Sequence, residues 1–201
     1  MKLQKKIHIL IINNAEKSIN DFTRPLEKIV ARAGCSFETM QYSDTPERES
    51  HSADGLLLSG SPQGDDIVEH HLPFYHWLKE IKKPALGICA GHHITGYLFG
   101  STLFRGEEPE SGDLIIEVTK DDMLFSGLPQ TINVKQMHND SISIPPGFEL
   151  LATSKTCHNQ LMKHRNKPIY SCQFHPEFYN HQLIHNFLKI IVKESLLADK
   201  F

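Results

Sequence analysis

Residues 84–100 read PALGICAGHHITGYLFG, and their interpretation decides the fold. Pro84 to Ile88 has the length and apolar character of the end of a buried strand, and Ala90 to Leu98 reads as the first turns of a helix. Cys89 stands on the corner between them, with Gly87 and Gly91 on either side. Glycine frees the backbone for a strand-to-helix turn that most residues resist, as in the nucleophile elbow G-x-S-x-G. A side chain on such a corner is pushed out at the top of the sheet. A thiol there also lies at a helix N-terminus, where partial positive charge favours thiolate. A small buried cysteine leaves the same trace, so the chemistry turns on whether a base stands elsewhere in the chain.

Phe174-His175-Pro176-Glu177 supplies one. Pro176 biases His175 toward an extended backbone, and residues two apart in an extended chain point the same way, so His175 and Glu177 can face one site. A carboxylate orienting an imidazole, and that imidazole taking a thiol proton, is the set of parts that covalent acyl transfer needs.

Upstream of the elbow, Ile7 to Ile12 reads as a fully buried first strand, Ser18 to Ala33 as a helix and Phe37 to Tyr42 as a second strand. The helix carries Ile19, Phe22, Leu26, Ile29, Val30 and Ala33 at helical spacing and stops at Gly34. Ser43 to Ala53 is a loop with one possible turn of helix, and Gly55 to Leu58 is a third strand. Ser59 to Gly64 is glycine-rich but lacks the signature of a phosphate loop or a dinucleotide fold. Glu69 to Ile81 is expected to be a helix under the elbow strand. This alternation implies an α/β fold, an open, mostly parallel sheet flanked by helices, with the site at the carboxyl ends of the strands.

After Ser101 the rhythm changes. Short strands at Leu114 to Thr119, Thr131 to Lys135, Glu149 to Ser154, Gln160 to His164 and Ile169 to Gln173 suggest an antiparallel extension in the C-terminal half that returns to deliver His175. Phe178 to Ala198 closes the chain as an amphipathic helix, with Leu183, Phe187, Ile190, Ile191 and Leu197 as expected core.

The 201 residues, 39% of them hydrophobic, fit one domain spanning 1–201. With 21 basic against 24 acidic residues and a formal net charge of -3, there is no electrostatic footprint for nucleic acid, and no basic amphipathic stretch for a membrane surface. Lys2, Lys5 and Lys6 before the first apolar run imitate a signal peptide, but the run is too short and lacks a cleavage site. The four cysteines at 35, 89, 157 and 172 lack a paired spacing and read as reduced thiols of a cytoplasmic protein. Thirteen histidines invite a metal hypothesis. The pairs His70-His71 and His92-His93 cannot face one ligand position, and Cys172 to His175 is a zinc half-site without a second half, so no metal is expected.

At this level of detail the chain resembles the class I (triad) glutamine amidotransferases, and most closely the glutaminase part of GMP synthetases. Gly87, Ile88, Cys89 and Gly91 meet the family's G-[IV]-C-x-G-x-Q, and His175, Pro176 and Glu177 its H-P-E. Asp54 to Pro62 resembles its oxyanion strand and loop, D-G-x-x-x-S-G-G-P, and Met137 to Ser141 resembles the S-H-x-D segment. Pro146 to Ser154, Lys167 to Tyr170 leading into Gln173, and Asn186 to Leu188 extend the match over almost the full chain. Two positions depart from the pattern. His93 stands where the family has a glutamine that helps hold the substrate, and Ser61 stands for the second glycine of the oxyanion loop.

The resemblance implies a flavodoxin-like fold and a mechanism. Cys89 would be the nucleophile, His175 the base and Glu177 its orienter. Backbone N–H groups of Ser61 and Ala90, with Gly60, would form the oxyanion hole. His93, Met137, Asn139 and Asp140 would contact glutamine. It implies no cofactor in this chain, since ATP and magnesium would belong to a partner ATP pyrophosphatase subunit that makes GMP from XMP. Two other readings remain open: a stand-alone hydrolase of a γ-glutamyl compound, accommodated by His93, and a catalytically silent regulatory protein.

Overall fold

The computed structural model describes residues 6–44, 46–63 and 67–198. Lys2, Lys5 and Gly64 lie outside the described residues. Five strands form a parallel block: β1 (His8–Asn13), β2 (Ser36–Gln41), β3 (Gly55–Leu58), β4 (Ala85–Ile88) and, far along the chain, β11 (Ile169–Cys172), in the order β2-β1-β3-β4-β11. β10 (Leu161–His164), β9 (Phe148–Thr153), β6 (Glu110–Val118) and β7 (Thr131–His138) continue the same nine-stranded sheet with antiparallel pairing. β5 (Leu103–Phe104) and β8 (Ser141–Ile142) make a separate two-stranded ladder.

β1, β3, β4 and β11 are short, largely apolar and buried, as strands covered by helices on either side must be, whereas β2, at the edge of the sheet, is polar and partly exposed. One face packs Ile9, Ile11, Leu57, Leu86 and Ile88 against Leu26 and Val30 of α1 (Ile19–Arg32) and Phe187 and Ile191 of α6 (His181–Ala198). The other packs Leu10, Ile12, Leu56, Leu58 and Ala85 against Tyr75, Leu78 and the Ile94 and Leu98 side chains of α4 (Ala90–Leu98). The expected turn of helix in the 43–53 loop is α2 (Glu47–Ser50).

Several expectations need correction. The segment expected as one helix over Glu69–Ile81 is a short helix α3 (Ile67–His71) followed by 3₁₀ turns at Leu72–Phe74 and His76–Lys79. Pro73 carries no N–H and crowds the residue before it, which stops a continuous helix. The last helix is divided into α5 (Pro176–Tyr179) and α6 by Asn180, whose backbone leaves the helical region at ψ 42 and whose side chain donates to the Asn133 carbonyl. Ala33 and Leu197 are exposed and Ile19 is half-buried, so the apolar stripes of α1 and α6 are shorter than their spacing suggests. β11 is not purely part of the antiparallel extension: it pairs parallel with β4 on one side and antiparallel with β10 on the other.

That last pairing positions the site. Register places Cys172 beside Ile88, so β4 and β11 end side by side, with Cys89 one residue beyond the first and His175 three beyond the second. A backbone bond from the Cys89 N–H to the Cys172 carbonyl at 2.9 Å ties the two ends together.

Candidate active site

Cys89 is the N-cap of α4 and adopts φ 49, ψ -99, a conformation an L-residue takes only under constraint. The glycines flanking it serve a different purpose from the one expected. Neither has a positive φ; both are needed for close approach. A Cβ on Gly87 would lie 2.4 Å from the Gly91 carbonyl oxygen, and one on Gly91 would lie 2.7 Å from the Leu58 carbonyl oxygen. The corner is strained at the cysteine because the helix start is pressed onto β3 and β4. The carbonyl of Cys89 accepts from the His92 and His93 N–H groups, so helical bonding begins beneath the thiol. The N–H of Ala90, in the first turn, has no acceptor within the helix and is available to a ligand.

His175 is fully buried, its Nδ1 2.7 Å from Glu177 Oε1, with Glu177 also buried. Its ring packs at 5.5 Å from Phe22 and edge-on at 5.7 Å from Phe178. Gly60 completes the enclosure: a Cβ there would meet His175 Cε1 at 2.8 Å. With Nδ1–H donated to the carboxylate, Nε2 is the nitrogen left to exchange a proton with the sulfur. Burial opposes a charged ring, but the Cys89 sulfur and then the Glu177 carboxylate outweigh it and raise His175 to about 10. The thiol donates toward the Met137 carbonyl at 3.9 Å, while His175 Nε2 and Glu177 Oε2 have no hydrogen-bond partner. Sulfur and imidazole are thus coupled electrostatically without an aligned hydrogen bond between them, and apo sites commonly tighten only when occupied.

Of the residues expected around this centre, Gly60, Ser61, Ala90 and Met137 lie beside it in chain or in space. Met137 has an exposed side chain and offers its carbonyl to the thiol. Asn139 is exposed. Asp140 is buried, and its carboxylate turns to the loop beyond β5, accepting from the Gly106 N–H at 2.9 Å and pairing with Arg105 at 3.8 Å. His93 is buried with Nε2 2.7 Å from Gln173 Oε1, and His92 points to Ser171 Oγ at 2.9 Å. The two adjacent histidines therefore address different residues at the end of β11 and just beyond it.

Asn14 escaped the sequence reading. Its backbone N–H donates to Ser59 Oγ and its side-chain amide to the Ser59 carbonyl, which pins the start of the 59–61 loop. Tyr75 Oη donates to Asn14 Oδ1 at 2.5 Å and His71 lies 3.2 Å from the Asn14 carbonyl. Burial lowers His71 to about 4, which leaves it neutral and able to donate that bond. The available signal was a pair of asparagines, Asn13 and Asn14, closing an otherwise apolar strand.

The sheet order, the strained cysteine corner and the buried His–Glu pair define a class I amidotransferase arrangement, and comparison with known proteins agrees. The class-I glutamine amidotransferase model matches residues 15–194, and the chain belongs to that family. Its relatives include the glutamine-hydrolyzing GMP synthase subunit of Pyrococcus abyssi, 32% identical over 90% of this chain and 97% of that protein. The corresponding GMP synthase subunit of Archaeoglobus fulgidus is 35% identical over 74% of this chain and 82% of that protein. Among solved structures, a GMP synthase subunit from Thermoplasma acidophilum superposes with a TM-score of 0.89 at 28% identity, covering 98% of this chain and 100% of that one. A glutamine amidotransferase of Thermotoga maritima shares the fold, with a TM-score of 0.72 at 22% identity over 98% of this chain and 87% of that one. The expected α/β architecture, with its parallel sheet and antiparallel C-terminal strands, is the one observed. Among the described residues no helix is long and apolar enough to cross a membrane.

Proposed function

We propose that this chain hydrolyses the side-chain amide of glutamine through Cys89, His175 and Glu177, and delivers the ammonia to a separate ATP-using synthetase subunit that aminates XMP to GMP. The observation that carries this is the buried His175–Glu177 pair, 2.7 Å apart, electrically coupled to a cysteine held at positive φ on a helix N-terminus. The thiol turns from the Met137 carbonyl to His175 Nε2, gives up its proton and attacks the amide carbon. The N–H groups of Ser61 and Ala90, in the loop braced by Gly60 and at the helix start, stabilise the oxyanion. His175 returns the proton to the departing nitrogen, so ammonia leaves and a γ-glutamyl thioester stays on Cys89. Water, deprotonated by His175, attacks the thioester and releases glutamate and the thiol. Met137, Asn139 and Asp140 mark the turn that holds the amino-acid end of the substrate, Asp140 through its grip on the 105–106 loop.

The names of the relatives support glutamine hydrolysis by one component of a GMP synthase, and the balanced charge suits a cytoplasmic enzyme with a protein partner. ATP and magnesium belong to that partner. His93 is the observation favouring a second reading: bound to Gln173, it alters the wall where the family carries glutamine, which suits a different γ-glutamyl substrate. The test is a panel of glutamine and γ-glutamyl compounds on wild type, Cys89→Ala and His93→Gln, with and without an ATP pyrophosphatase partner, ATP and XMP. Glutamine turnover that accelerates with the partner and vanishes in Cys89→Ala supports the proposal. Full turnover of a γ-glutamyl compound without any partner overturns it in favour of the second reading.

A further inference from the structure

Glu110 and His138 stand directly opposite each other across the β6–β7 hairpin, at the end nearest the candidate site. Both side chains are buried, 1% and 2% exposed. His138 Nδ1 lies 2.9 Å from the Asp140 carbonyl oxygen, and Nε2 lies 3.1 Å from Glu110 Oε2. His138 thus bridges the Glu110 carboxylate and the Asp140 backbone.

Glu110 is itself gripped. Ser154 Oγ donates to Oε1 at 2.5 Å, Gln160 Nε2 donates to Oε2 at 2.5 Å, and the Gln136 amide fixes Gln160 in turn at 2.7 Å. Burial pushes the Glu110 carboxyl up, but the donors from His138 and Ser154 outweigh it and keep the group below its ordinary range. A buried carboxylate so fully satisfied is a rigid anchor.

What it anchors is the turn beside the thiol. His138 lies between Met137, whose carbonyl meets Cys89 Sγ, and Asn139, and its Nδ1–H closes onto the backbone of Asp140. We propose that Glu110 is a positioning residue for glutamine: acting through His138, it holds the 137–140 turn in the geometry that binds the substrate. The inference rests on the proposed function for what is bound, but not for the clamp itself.

A metal ion bound between these side chains is the competing reading. Cys157 Sγ, the Glu110 carboxylate and a His138 ring nitrogen lie within 4.8 Å of one another, all buried. One feature favours the direct clamp. Both Glu110 oxygens already accept from protein donors, Oε1 from Ser154 Oγ and Oε2 from Gln160 Nε2.

The test is ¹⁵N NMR of the histidine rings in the full-length protein, with elemental analysis of the same sample. The His138 Nε2 signal reports its bond to Glu110: it is expected to be the same in wild type and in Glu117→Gln, an exposed carboxylate on the same strand, and to move in Glu110→Gln. Glu110→Gln should raise KM for glutamine roughly 10- to 100-fold, the loss of a charged hydrogen bond, with kcat moved far less. Glu110→Asp should recover part of that loss and stands in should the glutamine variant not fold. An Nε2 signal unmoved in Glu110→Gln, one equivalent of bound metal, or an unchanged KM in Glu110→Gln overturns the proposal. A His138 signal that moves in Glu110→Gln while wild type hydrolyses no glutamine overturns the functional reading, and with it glutamine as the thing positioned, while leaving the clamp standing.

Discussion

Cys89 holds φ 49 in a chain where the only other described non-glycine residue at positive φ is Glu16. Strain of this kind costs of order 1–3 kcal/mol and persists because the β4–α4 corner over-determines it. Cys89→Gly should therefore abolish activity yet leave the thermal midpoint unchanged or raised, as read by calorimetry. His175 makes a second residue-scale prediction. Raised from 6.5 to about 10 by Cys89 and Glu177 against the cost of burial, it binds more protons folded than unfolded between those values. Its contribution to stability is complete below about pH 6.5 and is lost as pH climbs through about 10. The urea midpoint of wild type should fall over that window more steeply than that of His175→Gln. Glu177→Gln should leave the fold intact but cost roughly 10²- to 10⁴-fold in kcat, because an amide can no longer enforce the Nδ1–H tautomer or stabilise the imidazolium. Ring ¹⁵N shifts of His175 would show the tautomer change alongside the rate.

At the scale of elements, the elbow works because α4 starts in contact with β3 and β4. Gly91 is one tight joint: an added Cβ meets the Leu58 backbone carbonyl, which belongs to a central strand and cannot swing aside. Gly91→Ala should cost about 1–3 kcal/mol of unfolding free energy, within the range for overpacking a filled core. It should also move Cys89 and lower kcat, unlike an equally destabilising change on α6. The β6–β7 hairpin is the other working element. Its β7 strand lends the Lys135 carbonyl to the His175 N–H at 2.9 Å and the Met137 carbonyl to the thiol, so one strand touches both halves of the candidate pair. A displacement of that hairpin by a docked partner would reach sulfur and imidazole together.

For the molecule as a whole, most of the architecture was readable because apolar runs of strand length alternate with helical spacing up to Gly100. The two ends of the candidate pair were readable too, since a glycine-flanked cysteine and His-Pro-Glu each carry a local backbone signature. Long-range geometry was not. Gly112, at φ 94 inside β6, and Pro109 beside it make the start of that strand look like a loop, so Glu110 went unnoticed as the partner of His138. The parallel pairing of β11 with β4 joins residues more than eighty apart, and no local pattern announces it. Asn14 was missed for the same reason, since its partner Ser59 lies on another strand's loop. The sequence motif at Asp140 suggested a substrate contact; in the structure Oδ1 accepts from the Gly106 N–H and Oδ2 faces Arg105 at 3.8 Å, neighbours that no local pattern announced.

The central claim is that sulfur at position 89 carries the γ-glutamyl group. Acid-quenched protein mixed with glutamine, with and without the synthetase partner, can be read by intact mass and peptide mapping. A γ-glutamyl adduct on the peptide containing Cys89, present in wild type and absent in Cys89→Ala together with all ammonia release, is the predicted result. Ammonia released from glutamine at an undiminished rate by Cys89→Ala would contradict the account.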